Sequence, residues 1–347
     1  MTTVNGIDDF IKSILKFETP IEYLGVSSGA VLCKARAIEP ALAFYVSDVE
    51  VKTCDTKTIF EFQYVNTEIK RQEIVYVDDK YQAEDAMMNA VEQFQKHLVL
   101  MTKSNIDFKA LYYDFSVAYK GFYSNWTKAT YKIFANKEHD LTIAVFSFSF
   151  RLGKVLSDMM RNELNDKIKD VANSIFTNDM TPEIKAYVAH NYLARTVKYW
   201  KIEEKEVNPV ERSYMQSAYG ALVKKKCVCQ GFAEAYKRLL DTQGITCYVV
   251  TGKIRGADNG HAWNIITFDN REFFHIDVTW DIKSAGKAED NYFGCSDEEM
   301  AKNRLWTRRS TWDCSGKTHL LGLVKSQIKV RLPLLLSKGI DRGLLGV

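Results

Sequence analysis

Between residues 214 and 281 the hydrophobic rhythm of the chain changes three times in quick succession, and that order leaves few folds open. Cys229-Gln230-Gly231 is followed by FAEAYKRLL, in which Cys229, Ala233, Tyr236 and Leu240 recur at helical spacing. Gly244 suits the C-cap that ends such a helix, and ITCYVVTG after it reads as a buried strand. Two further strands follow: HAWNIITF, opened by His261 directly after Gly260, and EFFHIDVTWD. In the latter Phe273, His275, Asp277 and Thr279 share one face, and Phe274, Ile276 and Val278 the other. A helix followed by strands able to pair antiparallel is an α+β arrangement compact enough for one site.

The residue types in this stretch point to thiol chemistry. Cys229 falls at a helix start, where unpaired N–H groups and the positive dipole end favour a thiolate. Lys224, Lys225 and Lys226 just upstream add positive potential if they stay near. A nucleophilic thiol needs a base and a group that orients the base. His261 and Asp277 supply them if their strands are neighbours, with Asp277 expected to accept the Nδ1 hydrogen and leave Nε2 towards Cys229. Asp281 is the competitor for that place, and His275 is expected only to pack against the sheet. The oxyanion of an attacked carbonyl needs a donor, either the backbone N–H of Cys229 or the hydroxyl of Tyr219, a residue that could as easily be a core aromatic. Gln230, Trp263 and Trp280 are expected to wall the cleft or pack beneath it. Cys227 and Cys247 do not complete a closed four-ligand set with Cys229, so no metal is expected.

The segments CVCQGFAEAYKRLL, GHAWNIITF and FFHIDVTWD, in that order, resemble the transglutaminase-like (transglutaminase core) superfamily of cysteine enzymes. PEIKAYVAHNYLARTVKYW, SAYGALV and DNYFGCSDEEM extend the resemblance over about residues 178–315. It implies an α+β papain-like core, a helix packed on an antiparallel sheet, with Cys229 as nucleophile, His261 as general base and Asp277 as the residue that orients it. Cys227 departs from the pattern, since similar proteins commonly carry glycine there. The implied reaction passes through an acyl-enzyme on protein or peptide amides, with no cofactor. Hydrolysis as a cysteine peptidase is preferred, because many similar domains resemble peptidases and no acidic cluster suggests calcium activation. Transglutamination and deamidation use the same triad, and a protein-binding module that keeps the fold without turnover is the alternative of another class.

Composition bounds the rest. With 347 residues, 46% hydrophobic and 26% charged, the chain is an ordinary globular protein of about two domains. Lys+Arg of 47 against Asp+Glu of 44 gives no field to attract nucleic acid. Seven cysteines without scaffold spacing, no signal-like N-terminus and no long apolar run suggest free thiols, no integral membrane segment and a cytoplasmic location. Residues 1–176 are expected to form a separate α+β N-terminal region and 177–316 the catalytic domain. Within the first, a helix over 1–24, strands at 42–52 and 58–65, a helix over 81–101, strands at 128–135 and 141–150 and a helix over 154–175 give strand-strand-helix twice. Duplication or chance succession explains that about equally well. Its many aromatics read as core rather than as a recognition surface. Residues 201–213 read as a loop, and the tail 317–347, interrupted by Pro333, as a completion of the last domain.

Overall fold

The computed structural model describes residues 1–25, 30–67, 71–118, 126–136, 141–201, 208–257, 260–269, 272–282, 292–308, 312–316 and 318–347. Contacts divide the chain into two compact units, Met1–Phe115 with Lys128–Ser149, and Ser116–Thr127 with Phe150–Val347. Among the described residues no helix is long and apolar enough to cross a membrane.

The first unit contains two four-stranded sheets with the same plan. In one, β1 (Thr2–Val4) lies parallel to β2 (Ile21–Leu24) with α1 (Ile7–Leu15) between them in sequence. Helices α2 (Ala30–Ile38) and α3 (Leu42–Tyr45) then lead to the antiparallel pair β3 (Val46–Cys54) and β4 (Lys57–Tyr64), in the order β1-β2-β4-β3. In the other, β5 (Ile74–Tyr76) lies parallel to β6 (His97–Thr102) with α4 (Lys80–Glu92) between them. Helix α5 (Phe108–Ala118) leads to β7 (Trp126–Asn136) and β8 (Leu141–Phe150), in the order β5-β6-β8-β7. The element that recurs is therefore strand-helix-strand-helix-strand-strand, of which the expected strand-strand-helix is only the end and the connection onward.

Three local expectations fail in this unit for identifiable reasons. The helix expected over 81–101 stops at Glu92, because Phe94 takes a left-handed φ of 59° and Gln95 N–H returns to Ala90 O. HLVLMT beyond it is a central strand buried on both faces, whose continuous apolar run carries no periodicity to separate it from a helix. The strand expected from 42 starts only at Val46, since Leu42, Phe44 and Tyr45 bury themselves from a short helix. The helix expected over 1–24 is confined to Ile7–Leu15 and flanked by two strands. Phe44, Phe60, Phe62, Phe146 and Phe148 are buried, with Phe10 and Phe60 ring centroids 4.8 Å apart, so these aromatics are core.

The long segment of the second unit starts at Phe150, so that it takes in residues 150–176, which the sequence pattern assigns to the N-terminal region. The reason is α6 (Lys154–Ile175), whose stripe of Met160, Leu164, Ile168, Val171 and Ile175 enters the same core as the helices after it. Helix α7 (Pro182–Thr196) starts as its sequence signal indicates, with the Thr181 side chain accepting from Ile184 N–H at 3.3 Å and Pro182 in the first turn. Strand β9 (Lys198–Tyr199) follows. Of the loop expected over 201–213, residues 202–207 lie outside the described residues, and α8 (Pro209–Met215) occupies most of the remainder, capped by Asn208. Then come α9 (Ala218–Leu222), β10 (Lys226–Cys227), α10 (Cys229–Asp241), β11 (Thr246–Ile254), β12 (Gly260–Thr267), β13 (Phe273–Ile276), β14 (Phe293–Cys295), α11 (Asp297–Ala301), β15 (Arg304–Trp306) and α12 (Leu320–Ser337). The last five strands form one antiparallel sheet in the order β14-β13-β12-β11-β15. Helix α10 buries Phe232, Tyr236, Leu239 and Leu240 in the core that the sheet shares. Helix α12 runs through Pro333 without a break, anchored in that core by Ile328 before it and Leu335 after it.

Candidate active site

Cys229 is the first residue of α10, and the chain is shaped to put it there. Strand β10 pairs with β9, Val228 is extended (φ −95°, ψ 179°), and the helix begins at once. Valine has no side-chain acceptor, so the opening N–H groups have no side-chain cap, while those of Gly231 and Phe232 go back to Val228 O. A Cβ on Gly231 would lie 2.6 Å from Cys227 Cβ and 2.8 Å from Ser217 O. Glycine in the Cys-Gln-Gly run therefore lets the helix start press onto β10. Cys229 and Gln230 are half-buried, and Cys229 packs against Ala233, Val249 and Ala262. Cys227 is fully buried; burial first, then the charges of Cys229 and Glu234, push its thiol well above the ordinary range. The three lysines lie against aromatic rings, Lys224 over Tyr219 (5.2 Å), Lys225 over Tyr192 (4.7 Å) and Lys226 over Trp200 (4.5 Å).

His261 and Asp277 meet as neighbouring strands allow. Strands β12 and β13 run antiparallel from Thr267↔Phe273 to Asn264↔Ile276, and Asp277 lies just past the end of β13, its N–H held by Tyr292 O at 2.9 Å. His261 Nε2 is 2.7 Å from Asp277 Oδ2, and the imidazole also hydrogen-bonds with the Cys229 side chain. The ring is thus reversed from the expected tautomer: Nε2 faces the carboxylate, which leaves Nδ1 for the thiol. Burial alone would lower the His261 pKa, but the hydrogen bonds to Asp277 and Cys229 and their negative charges outweigh it and raise it to about 9. Asp277 Oδ2 also accepts from Nε of Arg304 at 3.0 Å and from its Nη2. Arg304 is fully buried, its guanidinium 4.4 Å from the Trp280 ring and 4.5 Å from that of Tyr292.

A second histidine–aspartate pair lies beneath the first. The Trp263 ring lies along His261 with centroids 5.8 Å apart, and its Nε1–H donates to His275 Nδ1 at 2.9 Å. Indole nitrogen can only donate, so the His275 proton is on Nε2, which donates to Asp297 Oδ1 at 2.9 Å. Gly252 makes room for this stack, since a Cβ there would lie 2.3 Å from Leu305 O and 2.8 Å from the Trp263 ring. Potential ligand atoms of His275, Asp297 and Cys314 come within 4.8 Å of one another. The histidine has no lone pair left for a cation, and burial pushes the Cys314 thiol up, so this set does not fit a metal ion. Asp281 belongs to a third pair, with Oδ2 3.1 Å from Nε2 of the buried His190 on α7 and both oxygens near Tyr292 N–H. It ties the segment after β13 to α7 and does not compete for His261.

Tyr219 donates its hydroxyl proton to Glu163 on α6, so that proton is engaged. Trp280 is 41% exposed and meets His261 edge-on at 6.3 Å, a wall of the site, whereas Trp263 is buried below it. Two residues here carry no sequence signal. Arg304 is a lone arginine in a short strand, and Tyr199 on β9 is near enough that the charges of Cys229 and Asp277 raise its hydroxyl pKa, after burial. No disulfide joins any of the seven cysteines.

Residues 169–278 match the family profile described as the Transglutaminase-like superfamily, a span that runs from within α6 to the residue after Asp277. Comparison with curated proteins gave no match. A solved structure, the crystal structure of a TGase, aligns at 13% identity and a TM-score of 0.28 over 68% of this chain. This chain spans 64% of that structure's length. The unit that carries Cys229, His261 and Asp277 thus contains, over residues 169–278, a domain of the transglutaminase-like superfamily.

Proposed function

We propose that this chain is a thiol-dependent enzyme of amide bonds in proteins or peptides, acting as a cysteine peptidase. The observation that supports this best is the hydrogen-bonded line Cys229–His261–Asp277, with the imidazole pKa raised to about 9. A histidine that keeps its proton beside a thiol favours the thiolate–imidazolium pair, and the thiolate is the nucleophile. The Cys229 sulfur attacks the amide carbon, and charge collects on the carbonyl oxygen. The N–H of Cys229, at a helix start without a side-chain cap, is the donor suited to receive it. With its hydroxyl proton on Glu163, Tyr219 is less suited. His261 gives its Nδ1 proton to the departing amine, leaving a thioester on Cys229. It then takes a proton from water, which attacks the thioester and frees the acid. Asp277 holds Nε2 throughout and keeps the ring aimed at the sulfur.

The same acyl-enzyme resolved by a lysine amine is transglutamination, and a glutamine side chain resolved by water is deamidation. Mass spectrometry of a peptide mixture, with and without added amine, separates the three: cleaved peptides are expected, against cross-links or a mass gain of about one dalton at glutamine. Cleavage retained in full by a Cys229→Ala protein would sink the mechanism.

A further inference from the structure

We propose that Arg304 is a positioning residue that shares the carboxylate charge of Asp277 with His261, and so lets His261 release its proton during turnover. The inference rests on the reading of Cys229, His261 and Asp277 given above. Three N–H groups converge on one oxygen, Asp277 Oδ2: His261 Nε2 at 2.7 Å, Arg304 Nε at 3.0 Å and Arg304 Nη2. The arginine is out of water, its guanidinium against the rings of both Trp280 and Tyr292, which meet edge to face, with Nη1 on Asn303 Oδ1. Among the described residues its salt-bridge partner is Asp277. A cation so buried and so fixed acts through a low effective dielectric, and an arginine does not titrate.

The charged and titratable groups around His261 come from four elements. Cys229 faces it from α10, Tyr199 approaches from β9, Asp277 follows β13, and Arg304 reaches in from β15. His275, Cys295 and Asp281 stand one layer further out. With Arg304 present, Asp277 is charge-balanced whether or not His261 carries its proton. Without it, the full carboxylate charge falls on the imidazolium, which then holds its proton too tightly to give it to the leaving amine. A merely structural arginine would stiffen the loop and leave the histidine titration where it is.

The test reads the histidine itself. Imidazole nitrogen-15 resonances of His261 and the alkylation of Cys229 by iodoacetamide are followed against pH in wild type, Arg304→Gln, Arg304→Lys, Asp277→Asn and the Asp277→Asn/Arg304→Gln double variant. Arg304→Gln is expected to move the His261 midpoint up by about one unit, a tenfold tighter hold on the proton, with Arg304→Lys within a few tenths of wild type. Asp277→Asn is expected to lower the midpoint by leaving an unbalanced cation, and the double variant to bring it back up. A folded Arg304→Gln protein with an unmoved or lowered midpoint would overturn the proposal. If that variant does not fold, a double variant titrating like Asp277→Asn alone overturns it equally. Wild-type Cys229 alkylating as an ordinary thiol near pH 8.5 would instead defeat the enzymatic reading, while the His261 midpoints would still decide the role of Arg304.

Discussion

Two histidine–aspartate pairs lie one above the other in the same sheet, and they are built for opposite purposes. His261–Asp277 and His275–Asp297 have similar hydrogen bonds, 2.7 and 2.9 Å, and both imidazoles are buried. What separates them is the second ring nitrogen. In His261 it meets a thiol, which can exchange a proton. In His275 it meets the indole N–H of Trp263, which can only donate, so the proton on the other side is locked in place. The charges follow: the His261 pKa rises to about 9, whereas burial lowers that of His275, with the Asp297 bond too weak to reverse it and the Arg304 and Arg308 charges adding to the fall. A histidine–aspartate pair is a base or a strut according to what the far nitrogen touches.

Breaking the first pair's thiol gives the largest expected effect. Cys229→Ala should lower turnover of a confirmed peptide substrate by about a thousandfold or more, with the melting curve nearly unchanged; a loss under tenfold would place the chemistry elsewhere. The aspartates come next. Asp277→Asn should alter the pH dependence of Cys229 alkylation, whereas Asp281→Asn should leave it alone and cost about 1–3 kcal/mol of stability by weakening the buried tie to His190. Denaturant unfolding of the two proteins beside their alkylation profiles checks this, and an altered profile for Asp281→Asn would contradict it. His275→Gln should likewise cost about 1–3 kcal/mol, from the orphaned Trp263 N–H, without a change in which thiol is alkylated.

The smallest expected effects are the pH dependences of stability, which should have opposite signs for the two pairs. His261 is raised from 6.5 to about 9, so its contribution is present in full below pH 6.5 and is lost as the pH rises through about 9. His275 is lowered from 6.5, so the folded state binds its proton less well than the unfolded one, and stability falls as the pH drops below 6.5. Chemical denaturation from pH 5 to 10, comparing wild type with His261→Gln and His275→Gln, tests both. If removing His275 left the acid-side slope unchanged, its assignment as a neutral strut would be wrong.

Legibility varied with the kind of signal each residue carried. Cys229, His261 and Asp277 stand at the ends of elements whose period and breaks are local, a helix start after Val228 and two strand termini, and the structure brings their side chains into one hydrogen-bonded line. The imidazole orientation is not legible in the sequence, because which nitrogen points where depends on the angle between the helix start and the sheet. The buried strand His97–Thr102 is indistinguishable in sequence from the helix before it, because an all-apolar run has no period. Helices α2 and α5 lie outside the elements that the sequence pattern predicts.

From its order of residues alone the chain already determined a cysteine at a helix start, a histidine and an aspartate at the ends of successive strands, and an α+β plan for that region, since these follow from spacing and capping within a few dozen residues. Only the tertiary structure decided which of three aspartates serves which histidine, that Trp263 locks His275, and that Arg304 reaches Asp277 alongside two aromatic rings. Those choices depend on packing between elements far apart in sequence, where a single arginine or tryptophan has no periodicity to announce it and only the burial of its charge or its N–H dictates where it must go.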